Sequence, residues 1–119
     1  MIYRYADVLL MKAEAKNGLG QDPAAEINLV RTRAYGAANM GTHTFVNGTK
    51  DANDAAILQE RLLELCTEGK RWNDLRRFGK VNELVPSMAT APAYKLLFPI
   101  GTAVISLEPK VIENPGWKL

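Results

Sequence analysis

The densest charged constellation in this sequence runs from Glu60 to Arg77: Glu60-Arg61, Glu64, then Glu68-Gly69-Lys70-Arg71-Trp72-Asn73-Asp74-Leu75-Arg76-Arg77. Glutamates at 60, 64 and 68 recur every four residues, so a helix stacks their carboxylates on one face. Stacked carboxylates can hold a metal ion or share acid and base work. Carboxylate metal sites in helical bundles draw on several helices and add histidines. The one histidine here, His43, lies in a different segment. Structural ion pairing of these glutamates with Arg31, Arg33, Arg61, Arg71 and Arg76 is therefore the favoured reading, and no metal is expected.

Lys70, Arg71, Arg76, Arg77 and Lys80 beside Trp72 combine cations with an aromatic ring, as in sites that meet phosphate and stack on bases. Glu68, Asp74 and Glu83 in the same stretch oppose phosphate, and Trp72, Leu75 and Phe78 at three-residue spacing read as a buried stripe. Nucleic acid is set aside. Cys66 falls on the apolar side of a predicted helix with no histidine near it in sequence, which describes an inert thiol. Ser87 and Ser106 lack a nucleophile elbow, and no Walker or dinucleotide glycine pattern is present. The residues point to no enzyme and no cofactor.

These residues must be positioned by a chain of 119 residues, 47% hydrophobic and 24% charged, with a net charge of +2. Such a composition fits one globular domain and does not call for a polyanionic partner. A single cysteine excludes an internal disulfide. The apolar runs Val8–Met11 and Leu96–Ile100 fall far short of the ~20 residues that span a bilayer. The opening residues do not read as a signal peptide, and a start inside a helix leads us to expect a fragment.

Residues 3–17 read as a helix, with Ala6, Leu9, Leu10, Ala13 and Asn17 on one face and Tyr5, Val8, Met11 and Ala15 extending the apolar surface. Asn17-Gly18-Leu19-Gly20 stops it. Asp22-Pro23 opens a second helix with Ala24, Ile27, Val30 and Ala34 as its apolar stripe, away from Glu26 and Arg33. The pair, 3–35, forms an antiparallel hairpin. Residues 36–52 read as a loop, with room for a small hairpin at Asn47-Gly48. A third helix is expected from Asn53-Asp54 toward Gly69, with Leu58, Leu62, Leu65 and Cys66 as its core face, followed by a short amphipathic helix to residue 79. Residues 80–119 read as an extended tail, because Pro92, Pro99, Pro109 and Pro115 cannot sit in helix interiors.

The order of motifs carries a resemblance. Tyr3 to Ala15, YRYADVLLMKAEA, resembles the "RYAEVLLMYAEA" helix of the SusD/RagB family. Val30-Arg31-Thr32-Arg33-Ala34 stands where that family has "VRxRA". The run from Glu60 to Arg77 is similar to "ERRxELxxEGxRWxDLRR", and Leu97-Phe98-Pro99-Ile100 with Asn114-Pro115-Gly116-Trp117 to its "LFPIP…QNPGY/W" ending. Leu62 replaces a second arginine, Val104 stands where a glutamate is usual, and Glu108-Pro109 replaces an "NP" pair.

The resemblance implies a mainly α fold of tetratricopeptide-like antiparallel helix pairs with an extended, Pro-rich C-terminal segment. The chain would be the C-terminal portion of a SusD-like protein. Such proteins are lipid-anchored on the outer face of the outer membrane in Bacteroidetes-type bacteria. They are non-catalytic, and they pass glycans to a SusC-like TonB-dependent transporter; the anchor would lie outside this chain. Tyr5, Glu14, Arg31, Glu64, Glu68, Arg71, Trp72, Asp74 and Arg76 then become scaffold residues. Glycan capture needs aromatic faces and amides, for which this chain offers His43, Phe45, Asn47 and Tyr94 as candidates. A stand-alone tetratricopeptide-like interaction module is the alternative.

Overall fold

The computed structural model describes residues 3–108 and 110–117. Seven α-helices and no strand are found among them, so the fold is mainly α, as expected. The chain divides into two compact units, one ending at Phe78 and the other starting at Gly79.

In the first unit, α1 spans Tyr5–Gly18 and buries Ala6, Asp7, Leu9, Leu10, Ala13 and Asn17, a spacing of 3.6 residues per turn. Asp7 in its first turn and Lys16 in its last complement the helix dipole. It closes at Gly20, whose φ of 71° is the left-handed conformation glycine adopts without strain. The Asp22 carboxylate accepts a hydrogen bond from the Ala24 N–H at 2.8 Å and starts α2, Ala24–Tyr35. Ala6, Leu9 and Leu10 pack on Val30, while Ala13 packs on Ile27 and on Ile57. As α1 advances, its partners on α2 step backward, so the hairpin is antiparallel. One expectation fails here. Glu26, assigned to the solvent side of α2, is buried, and Ala34 is exposed.

The stretch read as a loop is partly helical. A 3-10 turn covers Ala37–Asn39, α3 covers Met40–His43, and Gly36 and residues 44–49 lack regular structure. No hairpin forms. Thr49 Oγ1 accepts from the Ala52 N–H at 3.3 Å, so α4 begins at Lys50, three residues before the expected start. It ends at Glu64 and not at Gly69, because Thr67 (φ 67°) and Gly69 (φ 71°) take left-handed conformations. The early end rotates Cys66 off the core face: it is exposed, Leu62 is half-buried, and Leu58 and Leu65 are buried. Helix α5, Arg71–Arg77, buries Asp74 and Leu75.

The second unit carries short helical pieces between extended links: α6 (Val81–Leu84), 3-10 turns at Pro86–Met88 and Ala93–Leu96, and α7 (Thr102–Leu107). Pro86 sits at the first position of its turn, where a missing N–H costs nothing. Pro92, Pro99 and Pro115 lie outside helices as expected, and Pro109 lies outside the described residues. The Trp117 indole N–H donates to the Leu97 carbonyl at 3.0 Å, and Asn114 Nδ2 donates to the Phe98 carbonyl at 2.7 Å. These bonds hold the motif-bearing ends of this unit together. Gly116 (φ 94°) lies so close to Tyr94 that a Cβ there would sit 2.5 Å from its Cγ.

Candidate functional site

Four charged side chains from α1, α4, α5 and the turn before α5 meet in the interior of the first unit. Asp7 is 1% exposed, Asp74 2%, Arg61 4% and Lys70 5%. Arg61 Nη1 lies 3.0 Å from Asp7 Oδ1, and Arg61 Nε lies 2.9 Å from Asp74 Oδ2. Both are close charge contacts lying off the hydrogen-bond line. Lys70 Nζ donates to Asp7 Oδ2, and Arg77 Nη2 donates to Asp74 Oδ1 at 2.9 Å. Burial drives the Asp7 carboxyl toward its neutral form, but the hydrogen bond from Lys70 and the positive charges of Arg61 and Lys70 outweigh it and hold its pKa below the usual range. Each buried charge here is balanced by an opposite one, the condition under which such groups persist in an interior.

Two further ion-pair arrays occur in the same unit. Arg4 donates from Nη1 to Glu64 (2.9 Å) and from Nε and Nη2 to Glu68 (2.9 and 2.7 Å), while Arg33 bonds both Glu64 oxygens at 2.7 and 2.6 Å. The two glutamates raise the pKa of Arg4 further above its ordinary value, Glu68 most. Glu26, buried on α2, sits between Lys12 at 3.0 Å and Lys16 at 2.9 Å. Burial pushes its carboxyl up, and the two ammonium groups more than reverse that.

The expected ion pairing is present with different partners. Of the glutamates and arginines grouped from the sequence, Arg31 bonds Glu60 at 2.8 Å and Arg33 bonds Glu64. Arg61 turns to Asp7 and Asp74, and Arg71 donates to the Leu58 carbonyl at 2.9 Å. Glu14 pairs with Arg77 at 2.5 and 2.9 Å. Arg76 and Trp72 are half-buried, and the Trp72 Nε1 finds no hydrogen-bond partner. Tyr5 is 74% exposed. No group of three or more potential metal ligands occurs among the described residues. The charged partners that sequence reasoning missed are Arg4, Asp7, Glu26 and Lys70. For Asp7 the advance signal was a charge three residues before Leu10, in helical phase with the core face.

The glycan candidates are drawn into the scaffold to differing degrees. The His43 ring stacks on Tyr35 (centroids 3.9 Å apart, 6° between planes), and its carbonyl accepts from Arg31 at 2.9 Å. Phe45 packs on the Ala13, Ile27 and Ile57 cluster. Its backbone is clasped at both ends by Asn28, whose Oδ1 accepts from the Phe45 N–H at 2.7 Å and whose Nδ2 donates to its carbonyl at 3.0 Å. Asn47 Oδ1 accepts from Asn53 Nδ2 at 2.8 Å, and Asn53 donates on to Asn17 at 2.9 Å. His43, Phe45 and Asn47 thus share one segment braced against α2 and α4. Tyr94 belongs to the second unit, edge-on to Trp117 at 5.3 Å and 84°.

Beside the ion cluster, α1, α4 and α5 enclose an open groove of about 740 Å³. Tyr3, Met11 and Ala15 form one wall, Asn73 and Phe78 another, and Arg61 reaches it from α4. The Tyr3 ring lies 4.3 Å from Lys70 Nζ, a cation–π contact that screens the buried ammonium from solvent.

A helical scaffold with paired interior charges, carrying the motif order described above, matches known proteins. Residues 1–94 match the SusD family, and the chain belongs to that family. SusD-like protein P38 of Formosa agariphila is 37% identical over 120 residues, covering 96% of this chain and 24% of that protein. SusD-like protein P2 of the same organism is 36% identical over 86 residues, 68% of this chain and 17% of its own length. Among solved structures, B. fragilis NanU superposes with a TM-score of 0.78 at 39% identity, covering 99% of this chain and 27% of NanU. A SusD superfamily protein from Bacteroides vulgatus gives 0.78 at 36% identity, over 98% and 28%. The chain spans about a quarter of the length of the first of these relatives.

Proposed function

We propose that this chain contributes helical scaffold and transporter-facing structure to a non-catalytic glycan-binding component of an outer-membrane polysaccharide uptake system, acting with a SusC-like TonB-dependent transporter. The complete protein would sit on the extracellular face of the outer membrane, held there by a lipid anchor. Membership of the SusD family supports the uptake role. The scaffold role rests on one observation above others: the charged constellation that looked most capable of chemistry is taken up in internal ion pairs. His43, Phe45, Asn47 and Tyr94 are proposed only as secondary contributors to the glycan face, since each already has an internal partner.

Glycan-array binding of the complete protein beside this chain tests the reading. The complete protein is expected to bind, and this chain alone to bind far more weakly. Equal affinity of the two would place the glycan site within these 119 residues and overturn the scaffold assignment.

A further inference from the structure

The chain contains two Asn-Gly pairs, Asn17-Gly18 and Asn47-Gly48. Asparagine is a chemically labile residue, and a following glycine exposes it most, because no β-carbon shields the next backbone nitrogen. That nitrogen, after losing its proton to solvent, attacks the asparagine Cγ. The new N–Cγ bond closes a succinimide ring, the Cγ–Nδ2 bond breaks, and the side-chain nitrogen takes up a proton and leaves as ammonia. Water then opens either imide carbonyl, giving aspartate or isoaspartate. The reaction requires a pliable backbone, a side-chain amide free to turn and a glycine N–H that nothing else holds.

The two pairs differ in these respects. Asn17-Gly18 closes α1, where helical backbone prevents cyclisation, and Asn17 is 3% exposed. Its Nδ2 donates to the Lys50 carbonyl at 3.0 Å and to Asp54 Oδ1 at 2.6 Å. Asn47 and Gly48 are exposed, in the stretch without regular structure. Gly48 has no left-handed φ, and an added Cβ would lie 3.6 Å from Ala52 Cβ and Asn53 Oδ1, an ordinary contact. Neither conformation nor space therefore demands glycine there. One buried side chain nonetheless grips both reacting groups. Asn53, 3% exposed near the start of α4, donates from Nδ2 to Asn47 Oδ1 at 2.8 Å and accepts the Gly48 N–H on Oδ1 at 2.9 Å. The same Nδ2 donates to Asn17 Oδ1 at 2.9 Å, which ties the clamp to α1 and keeps it from following the loop. Ring closure has to break both bonds to Asn53.

We infer that Asn47 is a latent deamidation site, held unreactive by Asn53 and converted to aspartate or isoaspartate when that clamp opens. Aspartate at this position keeps an acceptor for Asn53. Isoaspartate inserts the side-chain methylene into the main chain and draws Gly48 away from Asn53, so the clamp does not re-form. This inference is independent of the proposed glycan role.

The test incubates the complete, purified protein in mildly alkaline buffer and follows conversion at Asn47 and Asn17 by peptide mass mapping. A native-state reaction that needs a local opening is slowed by the fraction of time spent open, and we expect Asn47 to convert at least tenfold more slowly than in urea. Asn53→Ala should abolish most of that protection while Asn17, shielded by its helix, stays slow and reports that α1 is still folded. Conversion of native Asn47 at its urea rate overturns the inference. So does an Asn53→Ala protein in which both asparagines stay as slow as in the wild type. Amide exchange at Gly48 in the wild-type protein reads the clamp without any substitution, and so decides even where Asn53→Ala fails to fold. Exchange at least tenfold slower than for an unstructured amide supports the clamp, and exchange at the unstructured rate overturns it. Gly48→Ala, which the fold accommodates, should slow conversion in urea by about tenfold by restoring the missing β-carbon; an unchanged rate would show that the Gly48 nitrogen is not the attacking group and would also overturn the assignment.

Discussion

The two units of this chain are held by opposite strategies. In the first, side chains 60 or more residues apart in sequence meet in the interior: Arg4 with Glu64 and Glu68, Asp7 with Lys70, Glu14 with Arg77. In the second, the side-chain ties found among the described residues span no more than 20 residues, and the longer ones end mostly on backbone carbonyls, as from Asn82 to Met88, Asn114 to Phe98 and Trp117 to Leu97. Its large apolar side chains are widely exposed, among them Phe98, Leu107 and Ile112. The first unit thus depends on a few side chains whose loss cannot be compensated nearby. The second depends on backbone shape, where a conformation matters more than a functional group.

The largest effect separating the two should come from Asp7→Asn, which leaves Lys70 and Arg61 buried against a neutral amide. It is expected to cost about 3–5 kcal/mol, the usual penalty for breaking a buried ion pair, measured by urea unfolding of the complete protein. A change under 1 kcal/mol would erase the contrast drawn above. Asp74→Ala follows for the same reason, with a drop in Tm and with glycan affinity of the complete protein unchanged. Lost binding with an unaltered melting curve would instead move Asp74 into the binding site.

Gly116→Ala should act on the second unit alone, by strain of about 1–3 kcal/mol at its left-handed backbone and against Tyr94. Trp117 fluorescence would report it, while the signal of the first unit stays put. Acid should sharpen the contrast further. Asp7 and Glu26 have folded pKa values below their unfolded ones, so their stabilisation is complete above the unfolded value of about 4 and is lost as pH falls through the folded values. The first unit should therefore lose stability below about pH 4, and Asp7→Asn should flatten that limb in a Tm-against-pH series. The smallest effect is expected at the exposed Lys80–Glu83 pair. Glu83→Gln should change stability by less than ~0.5 kcal/mol.

Helix ends were legible where a side chain or a glycine acts locally. Asp22 and Gly20 mark the α1–α2 turn in the sequence as they do in the structure. The start of α4 was misplaced because Thr49 caps it from inside a stretch whose glycine and threonine content suggested a loop. Its end was misplaced because the left-handed backbone at Thr67 is imposed on a β-branched residue that ordinarily avoids it. That the stacked glutamates pair with arginines was legible from their composition and spacing, and Arg31 with Glu60 and Arg33 with Glu64 are the pairs the structure makes from that set. The pairing of Glu26 and Asp7 was not legible, since a charge inside an apolar stripe becomes intelligible only when its partner, ten or sixty residues away, is placed against it. The motif order carried the family beyond what pairwise chemistry could reach.

The span of the Asp7 contacts has a consequence for how the chain is made. Helices α1 and α2 need only the first 35 residues to pair, and a local hairpin can form while the rest is still being synthesised. Asp7, however, has no buried cation to meet until Arg61 and Lys70 have emerged. Until then its charge favours water and opposes closure of the hairpin at that end. The nascent first unit is expected to hold one end docked through Ala13 and Ile27 and the other open, and to lock only once residue 70 is free.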